Sequence, residues 1–465
     1  MAPRPSKKGS NPNHKIFIIS PFQSKRNFRS HRISPSLAKS CNPNPAKIYS
    51  PFEFFILMNR SKVIVLSVVF VVTVFSVSCL LQTFAYAFNS VPLNTSNSSR
   101  TCKEIPTQVK NYIVNQIVNK SKAAIVIGFV DPDGTRIFGF GNMSTAHNLP
   151  VNQNTFFNIG SITKTFTTLL LADMVNQGIV NLNDPIEKFL PPTVKVPQFN
   201  GKKITLENLA DHTSGLPEWP SNVWLNNTVG KINPNYNATQ LYQALSDTKL
   251  TREPGSQVQY SSFGIGLLGH ILSLKSGGIS YERLVKDRIL DVLGMNDTKI
   301  ALSQNEINNR FPVGHMGGKE IVTPRVPAIL ADSGAFRSTG PDMLKYISAN
   351  LGLIHTKLDD SMQLGHLIRH SSIIANPMNY SEYRGLGWRI ITNFGTETIT
   401  HTGAINGWNA FVGFIPTKQI GVLAMCSCDP TDADMGSLGF VLLNLTGVEN
   451  INAKSEPRTH TTTDR

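Results

Sequence analysis

Apolar positions recur along this chain in two rhythms, and the switches between them mark out its elements. Ile105, Val109, Ile113 and Ile117 stand four apart, which places them on one face of an amphipathic helix. Residues 123–130 and 136–141 read as strands, joined by the turn sequence Asp131, Pro132, Asp133, Gly134. A helix is expected over 161–177, with Phe166, Leu169, Leu170 and Met174 on its apolar face and Gly178 placed to end it. From about 204 to 325 the pattern is helical and loop-rich: 206–211, 264–274, and 281–293 closed by Gly294. Another helix reads over 341–351, followed by polar connections. Strand-like runs then dominate, at 387–392, 397–401, 410–415 and 420–426, before a closing helix over 431–445. Early and late strands are therefore expected in one antiparallel sheet. The helical middle is inserted as a second lobe, which gives an α+β fold with helices flanking the sheet.

Residues 63–81 obey neither rhythm. They are nineteen uncharged, mostly apolar residues, with Arg60 and Lys62 in front and Ala85, Tyr86 and Ala87 behind at the spacing of a cleavage site. A signal peptide running from Met58 to a cut after Ala87 is one reading. An uncleaved membrane anchor through 63–81 is the other, since the run can span a bilayer. Both put the positive flank inside and the body outside. The protein is thus expected in the extracellular space or on the outer face of the cytoplasmic membrane.

Charge supports this division. The 465 residues hold 44 Lys and Arg against 30 Asp and Glu, a net of +14. Twelve of the basic residues and one acidic residue lie in 1–62, leaving 32 against 29 for the rest, a net of +3. The basicity belongs to the leader, so nucleic acid is not an expected partner. Residues 1–62 read as a disordered or mis-assigned extension, 63–87 as the apolar segment and 88–102 as a linker. Residues 103–449 are the catalytic body, its helical lobe at about 204–330, and 450–465 a disordered tail. Of five cysteines, Cys102, Cys426 and Cys428 lie in the body, where Cys102 could bridge either of the others. No metal-ligand spacing, phosphate loop or organic cofactor motif is present, so no cofactor is expected.

The chemistry starts at Ser161-Ile162-Thr163-Lys164. A Ser and a Lys three apart share one face of a helix, so an amine can take the proton of the hydroxyl. Gly160 permits a tight entry, and the first-turn N–H groups are spare donors for an oxyanion. Alone the pattern means little, because Ser36-Leu37-Ala38-Lys39 also matches it. Three later stretches add to it: Tyr260-Ser261-Ser262 before an apolar helix, Asp211-His212-Thr213-Ser214-Gly215 as a helix end and turn, and His401-Thr402-Gly403-Ala404 at a strand end.

In this order the motifs resemble the class C β-lactamase and D-Ala-D-Ala-peptidase group of penicillin-recognising serine hydrolases, over roughly 103–446. Further matches are the run from Gly178 to Pro185, His212 to Leu216, the stretch from Tyr260 to Gly269, and Ser333 to Thr339 with Asp342. The resemblance implies that Ser161 is the nucleophile and that Lys164 and Tyr260 exchange its protons. It implies an oxyanion hole from the backbone N–H groups of Ser161 and Ala404, with Ser262, Thr402 and Gly403 against the substrate. Two positions depart from the family pattern. Ser262 stands where Asn is usual, and His401 stands where Lys often is, so the grip on a β-lactam or a free C-terminal carboxylate is weakened. A D-amino-acid peptide or a small ester is the expected substrate. A β-lactamase proper and a non-catalytic sensor or scaffold are the alternatives.

Overall fold

The computed structural model describes residues 104–454, apart from 145–148, 229–230, 324, 373–380 and 394, with side chains described as far as Thr446. The expected extension, apolar segment and linker lie outside these residues, as does Cys102.

Eight strands build one antiparallel sheet: β1 (Ile125–Asp131), β2 (Gly134–Phe140), β3 (His370–Ser372), β4 (Ser381–Arg384), β5 (Arg389–Asn393), β6 (Thr396–Ile405), β7 (Trp408–Ile415) and β8 (Ile420–Cys426). Their spatial order is β2-β1-β8-β7-β6-β5-β4-β3. The first strand pairs with the last, Ile125 facing Cys426 and Val130 facing Gly421, so sequence-distant strands do meet in one sheet.

All residues of β1, β7 and β8 are buried, because helices cover both faces. Alternation still sorts their side chains. Ile125, Ile127 and Phe129 face α1 (Thr107–Tyr112, continued by a π-helical stretch, Ile113–Val118) and α10 (Met435–Lys454). Ile105, Val109, Ile113 and Ile117 pack there as their spacing predicts. Val126 and Val130 face the other layer, which includes α2 (Thr163–Asn176) and α8 (Gly340–Asn350). Helix α2 is buried nearly all round, and its hydroxyls are hydrogen-bonded as burial requires. Thr167 Oγ1 donates to the Asp332 carbonyl at 2.7 Å, and Thr168 Oγ1 to that of Leu386 at 2.9 Å.

Between α2 and α8 lie α3 (Leu206–Ala210), α4 (Ala238–Asp247), α5 (Ser262–Lys275), α6 (Tyr281–Val285) and α7 (Gln304–Arg310). Helix α5 is pressed against the segment Ala328–Ser333: a Cβ built on Gly269 would come within 2.1 Å of Asp332 Oδ2.

Several expectations need correction. Cys426 is bonded to Cys428, so neither is the partner of Cys102. Two residues apart, the pair closes a very small loop and contributes little by chain entropy. Helix α9 (Asp359–His366) and strands β3 and β4 occupy a stretch expected to be polar connections. They are short and polar, and β3 is the sheet edge, so no apolar period announces them. The closing helix starts at Met435 and its backbone runs to Lys454, past the expected boundary at 450.

Candidate active site

Ser161 sits in a tight turn just before α2. Gly160–Ile162 is a 3₁₀ turn that runs directly into the α-helix beginning at Thr163, so Ser161 stands on the 3₁₀ turn and Lys164 on the α-helix. Gly160 has φ +48°, a left-handed value that glycine tolerates best. The end of β6 lies flat on this turn. A Cβ on Gly403 would meet the Ile159 carbonyl oxygen at 1.9 Å and the Ser161 nitrogen at 3.2 Å. One on Gly160 would meet the Ala404 nitrogen at 2.6 Å. Two glycines thus let the backbones carrying the Ser161 and Ala404 N–H groups come side by side. Beyond Thr400, β6 has no partner on its β5 side, because β5 starts at Arg389, opposite Thr400.

Lys164 is 1% exposed, and its Nζ donates to Ser161 Oγ at 3.0 Å and to the Ser333 carbonyl at 2.6 Å. The carbonyl anchors the amine from behind and aims it at the hydroxyl. Tyr260 immediately precedes the Ser261 cap of α5; its ring centroid is 4.9 Å from Lys164 Nζ, and the side chain is partly open to solvent. Ser261, not Ser262, caps this helix: its hydroxyl accepts from the Gly264 N–H at 2.8 Å. Ser262 is buried at the first helical position, while Thr402 is exposed beside buried Gly403.

His401 is buried, and its Nδ1 donates to the Thr402 carbonyl, 2.6 Å away. That contact makes Nδ1 the protonated nitrogen and leaves Nε2 an acceptor. Burial, then the Lys164 charge, pushes its pKa down to about 3, so it is neutral at physiological pH. The structure therefore brings Ser161, Lys164, Tyr260, His401, Gly403 and Ala404 into one cluster. Among the described residues no group of three or more His, Cys, Asp or Glu is arranged to hold a metal ion.

A family model described as Beta-lactamase matches residues 115–444, which span every part of this cluster. The chain belongs to the β-lactamase family. It is 30% identical over 312 residues to the D-alanyl-D-alanine-carboxypeptidase/endopeptidase AmpH of Escherichia coli K12, covering 63% of this chain and 77% of that one. A Beta-lactamase of the same organism is 28% identical over 324 residues, covering 62% and 80%. The octameric penicillin-binding protein homologue from Pyrococcus abyssi superposes with a TM-score of 0.62 at 25% identity, over 73% of this chain and 76% of that one. As a β-lactamase-family protein with relatives of these names, the chain is a serine hydrolase.

Two groups in this cluster had no functional reading in the sequence. His212, expected to be only part of a turn, is buried with φ +65° and its ring lies 4.6 Å from that of Tyr260. Its Nδ1 accepts the Ser261 N–H at 3.2 Å, whereas Nε2 is buried without a hydrogen-bond partner. Burial, then Lys164, His401 and Arg384, hold its pKa well below the usual value. Arg384, on β4, lies within electrostatic reach of Tyr260, His212 and His401. It shares the buried carboxylate of Glu382 with Arg389. His212 stood inside a motif that matched the family, and that was its signal. Arg384 had none, since β4 itself was illegible.

Proposed function

We propose that this β-lactamase-family protein is an exported or membrane-anchored serine hydrolase that opens an amide or ester through an acyl-enzyme on Ser161. A D-amino-acid peptide is the first substrate class and a small ester the second. The observation that carries the reading is the 3.0 Å contact between Lys164 Nζ and Ser161 Oγ, with the amine held from behind by Ser333. Ser161 Oγ attacks the carbonyl carbon and gives its proton to Lys164, which acts here as the uncharged amine. The oxygen that gains charge is met by the N–H groups of Ser161 and Ala404. The C–N or C–O bond then breaks as Tyr260 supplies a proton to the leaving group. A water activated by the same pair releases the acid.

The name of the AmpH relative supports a D-alanyl peptide, and neutral His401 argues against tight capture of a β-lactam carboxylate. The leader at 58–87 supports export. Among the described residues no helix is long and apolar enough to cross a membrane, so an anchor would be supplied by 63–81.

The test is labelling with a fluorescent fluorophosphonate, followed by turnover of D-Ala p-nitroanilide, p-nitrophenyl acetate and nitrocefin. The expected result is a covalent adduct lost in Ser161→Ala, with turnover of the anilide or ester exceeding that of nitrocefin. No adduct and no turnover would overturn the hydrolase reading for this chain. Nitrocefin as the preferred substrate would overturn the substrate class.

A further inference from the structure

One residue, His212, grips the chain on both sides of Tyr260. Its carbonyl accepts the Gln259 N–H at 2.7 Å, and its ring Nδ1 accepts the Ser261 N–H at 3.2 Å. These are the backbone donors immediately before and after Tyr260. The imidazole centroid also lies 4.6 Å from that of the Tyr260 ring, with the two planes 41° apart. Tyr260 is itself 36% exposed, so burial alone does not fix its ring.

The turn that carries His212 is locked from its own side. It follows α3, where Thr205 and Asn208 close a reciprocal capping box. Asn208 also holds Thr213: its carbonyl accepts the Thr213 N–H at 3.0 Å, and its Nδ2 donates to Thr213 Oγ1 at 3.0 Å. Thr213 Oγ1 in turn donates to the buried Asp211 Oδ1 at 2.6 Å. The Thr213 carbonyl accepts the Gly255 N–H at 2.9 Å, which ties the turn to the segment leading to Tyr260. With both neighbours held, residue 212 sits at φ +65°, a left-handed value uncommon outside glycine. Such a conformation persists where the surroundings over-determine it, and these positions cluster at functional sites.

The ring is used in an equally one-sided way. Because Nδ1 accepts an N–H, the proton of the neutral imidazole is on Nε2. Nε2 is buried and has no hydrogen-bond partner among the described residues. A buried polar atom without a partner is uncommon in a native protein, so packing alone does not explain the ring. Its one hydrogen bond is spent on the backbone beside Tyr260.

We propose that His212 is a positioning residue: by holding the N–H groups on either side of Tyr260 it sets the phenol where it can pass a proton to the leaving group. The inference rests on the Ser161 acyl-enzyme reading and deepens the part of Tyr260 in it.

Two substrates test it with the full chain. p-Nitrophenolate leaves as a stabilised anion and needs no proton, whereas p-nitroaniline takes one as the C–N bond breaks. The ratio of kcat/KM for D-Ala p-nitroanilide to that for p-nitrophenyl acetate therefore reports proton delivery. Tyr260→Phe sets the scale and should lower this ratio at least about tenfold. His212→Leu fills the site without an acceptor and should lower it by a similar factor, since a displacement of about 1 Å costs on the order of a hundredfold. His212→Asn offers its Oδ1 near the place of Nδ1 and tolerates the left-handed backbone, so its ratio should stay within about threefold of wild type. His212→Gly tolerates the same backbone but has no acceptor. It separates the hydrogen bond from backbone strain, serves where the leucine variant does not fold, and should fall as far as His212→Leu. Thermal unfolding shows which variants are folded. A ratio within threefold of wild type in folded His212→Leu or His212→Gly overturns the proposal. So does a fall in His212→Asn equal to that in His212→Gly. An unchanged ratio in Tyr260→Phe removes the proton-donor role and this inference with it, while labelling of Ser161 keeps the nucleophile. Absence of fluorophosphonate labelling at Ser161 in the wild type overturns the underlying reading.

Discussion

Gly403→Ala is the most exacting test of how the site is assembled. Gly403 lies where β6 crosses the Ser161 turn, and a methyl there would come within 1.9 Å of the Ile159 carbonyl oxygen. Contacts under 3.0 Å are essentially never seen for a real Cβ, so β6 and the turn must separate by at least 1.1 Å. The three nearest atoms, the Ile159 carbonyl oxygen and carbon and the Ser161 nitrogen, are all backbone, and no side-chain rotation relieves the clash. The displacement falls on the pair of N–H groups proposed to hold the oxyanion, Ser161 on one segment and Ala404 on the other. Removing one donor from such a hole costs about a hundred- to a thousandfold in kcat, or about 3–4 kcal/mol of barrier. A misplacement of about 1 Å costs on the order of a hundredfold by itself. The expected loss for Gly403→Ala is therefore at least about a hundredfold in kcat, with a smaller change in KM.

Steady-state hydrolysis of p-nitrophenyl acetate reads the effect, and thermal unfolding shows whether the fold survives. Gly277→Ala is the control. It also has positive φ, +78°, but its Cβ would meet nothing within 4 Å. It should lower stability by about 1 kcal/mol and leave kcat alone. A Gly403→Ala enzyme with kcat within threefold of wild type would refute the proposed oxyanion arrangement, because the clash leaves no other place for the strain to go.

Lys164→Ala and Tyr260→Phe should each lower kcat/KM at least about a hundredfold, the scale of a lost acid or base, and unchanged turnover in either removes that residue from the mechanism. Gly269→Ala drives a methyl to 2.1 Å from Asp332 Oδ2 and should cost about 1–3 kcal/mol in a urea titration, whatever its effect on activity. Stability should fall on the acid side through His366, which is outside the Ser161 cluster. Its pKa is depressed by burial to about 4, so below the unfolded value near 6.5 the unfolded chain binds a proton that the native chain refuses. Between pH 7 and 5 this costs about 2 kcal/mol, and His366→Asn should show a correspondingly flatter urea midpoint over that range. Asp211 works in the opposite direction: burial raises it to about 6, which favours the native state as pH falls from 6 towards 3.8. Its assay therefore needs the wild type measured over the same range.

The legible parts of this molecule are those where burial imposes a period or a motif fixes the chemistry. Helix α1 was visible because Val109, Ile113 and Ile117 repeat at one spacing that Ile105 extends ahead of it, and β8 because every residue of Ile420–Cys426 is apolar or glycine. Ser161 and Lys164 were legible as a motif, yet the turn that carries Ser161 is 3₁₀ rather than α-helical. That local detail is set by Gly160 and by the strand pressed on it, which are tertiary facts. Strands β3 and β4 were hidden because their residues are polar and pair near the open edge. Arg384 went unseen for the same reason. The Cys426–Cys428 bond was not read from the sequence, where each of the two was considered only as a partner for Cys102.

The charges around Ser161 bear on what the enzyme can hold. His401 contributes no positive charge at neutral pH, since burial and Lys164 keep it neutral. Arg384 and Arg389 do carry charge, and both reach Glu382, a single carboxylate that cannot neutralise two guanidinium groups. The cleft therefore keeps an excess of positive charge, but it comes from β4 and β5 rather than from the end of β6. A carboxylate attracted there would lie farther along the sheet than one held at position 401. Under the proposed function, this displacement favours an extended peptide over a compact β-lactam, and nitrocefin turned over faster than D-Ala p-nitroanilide would refute it.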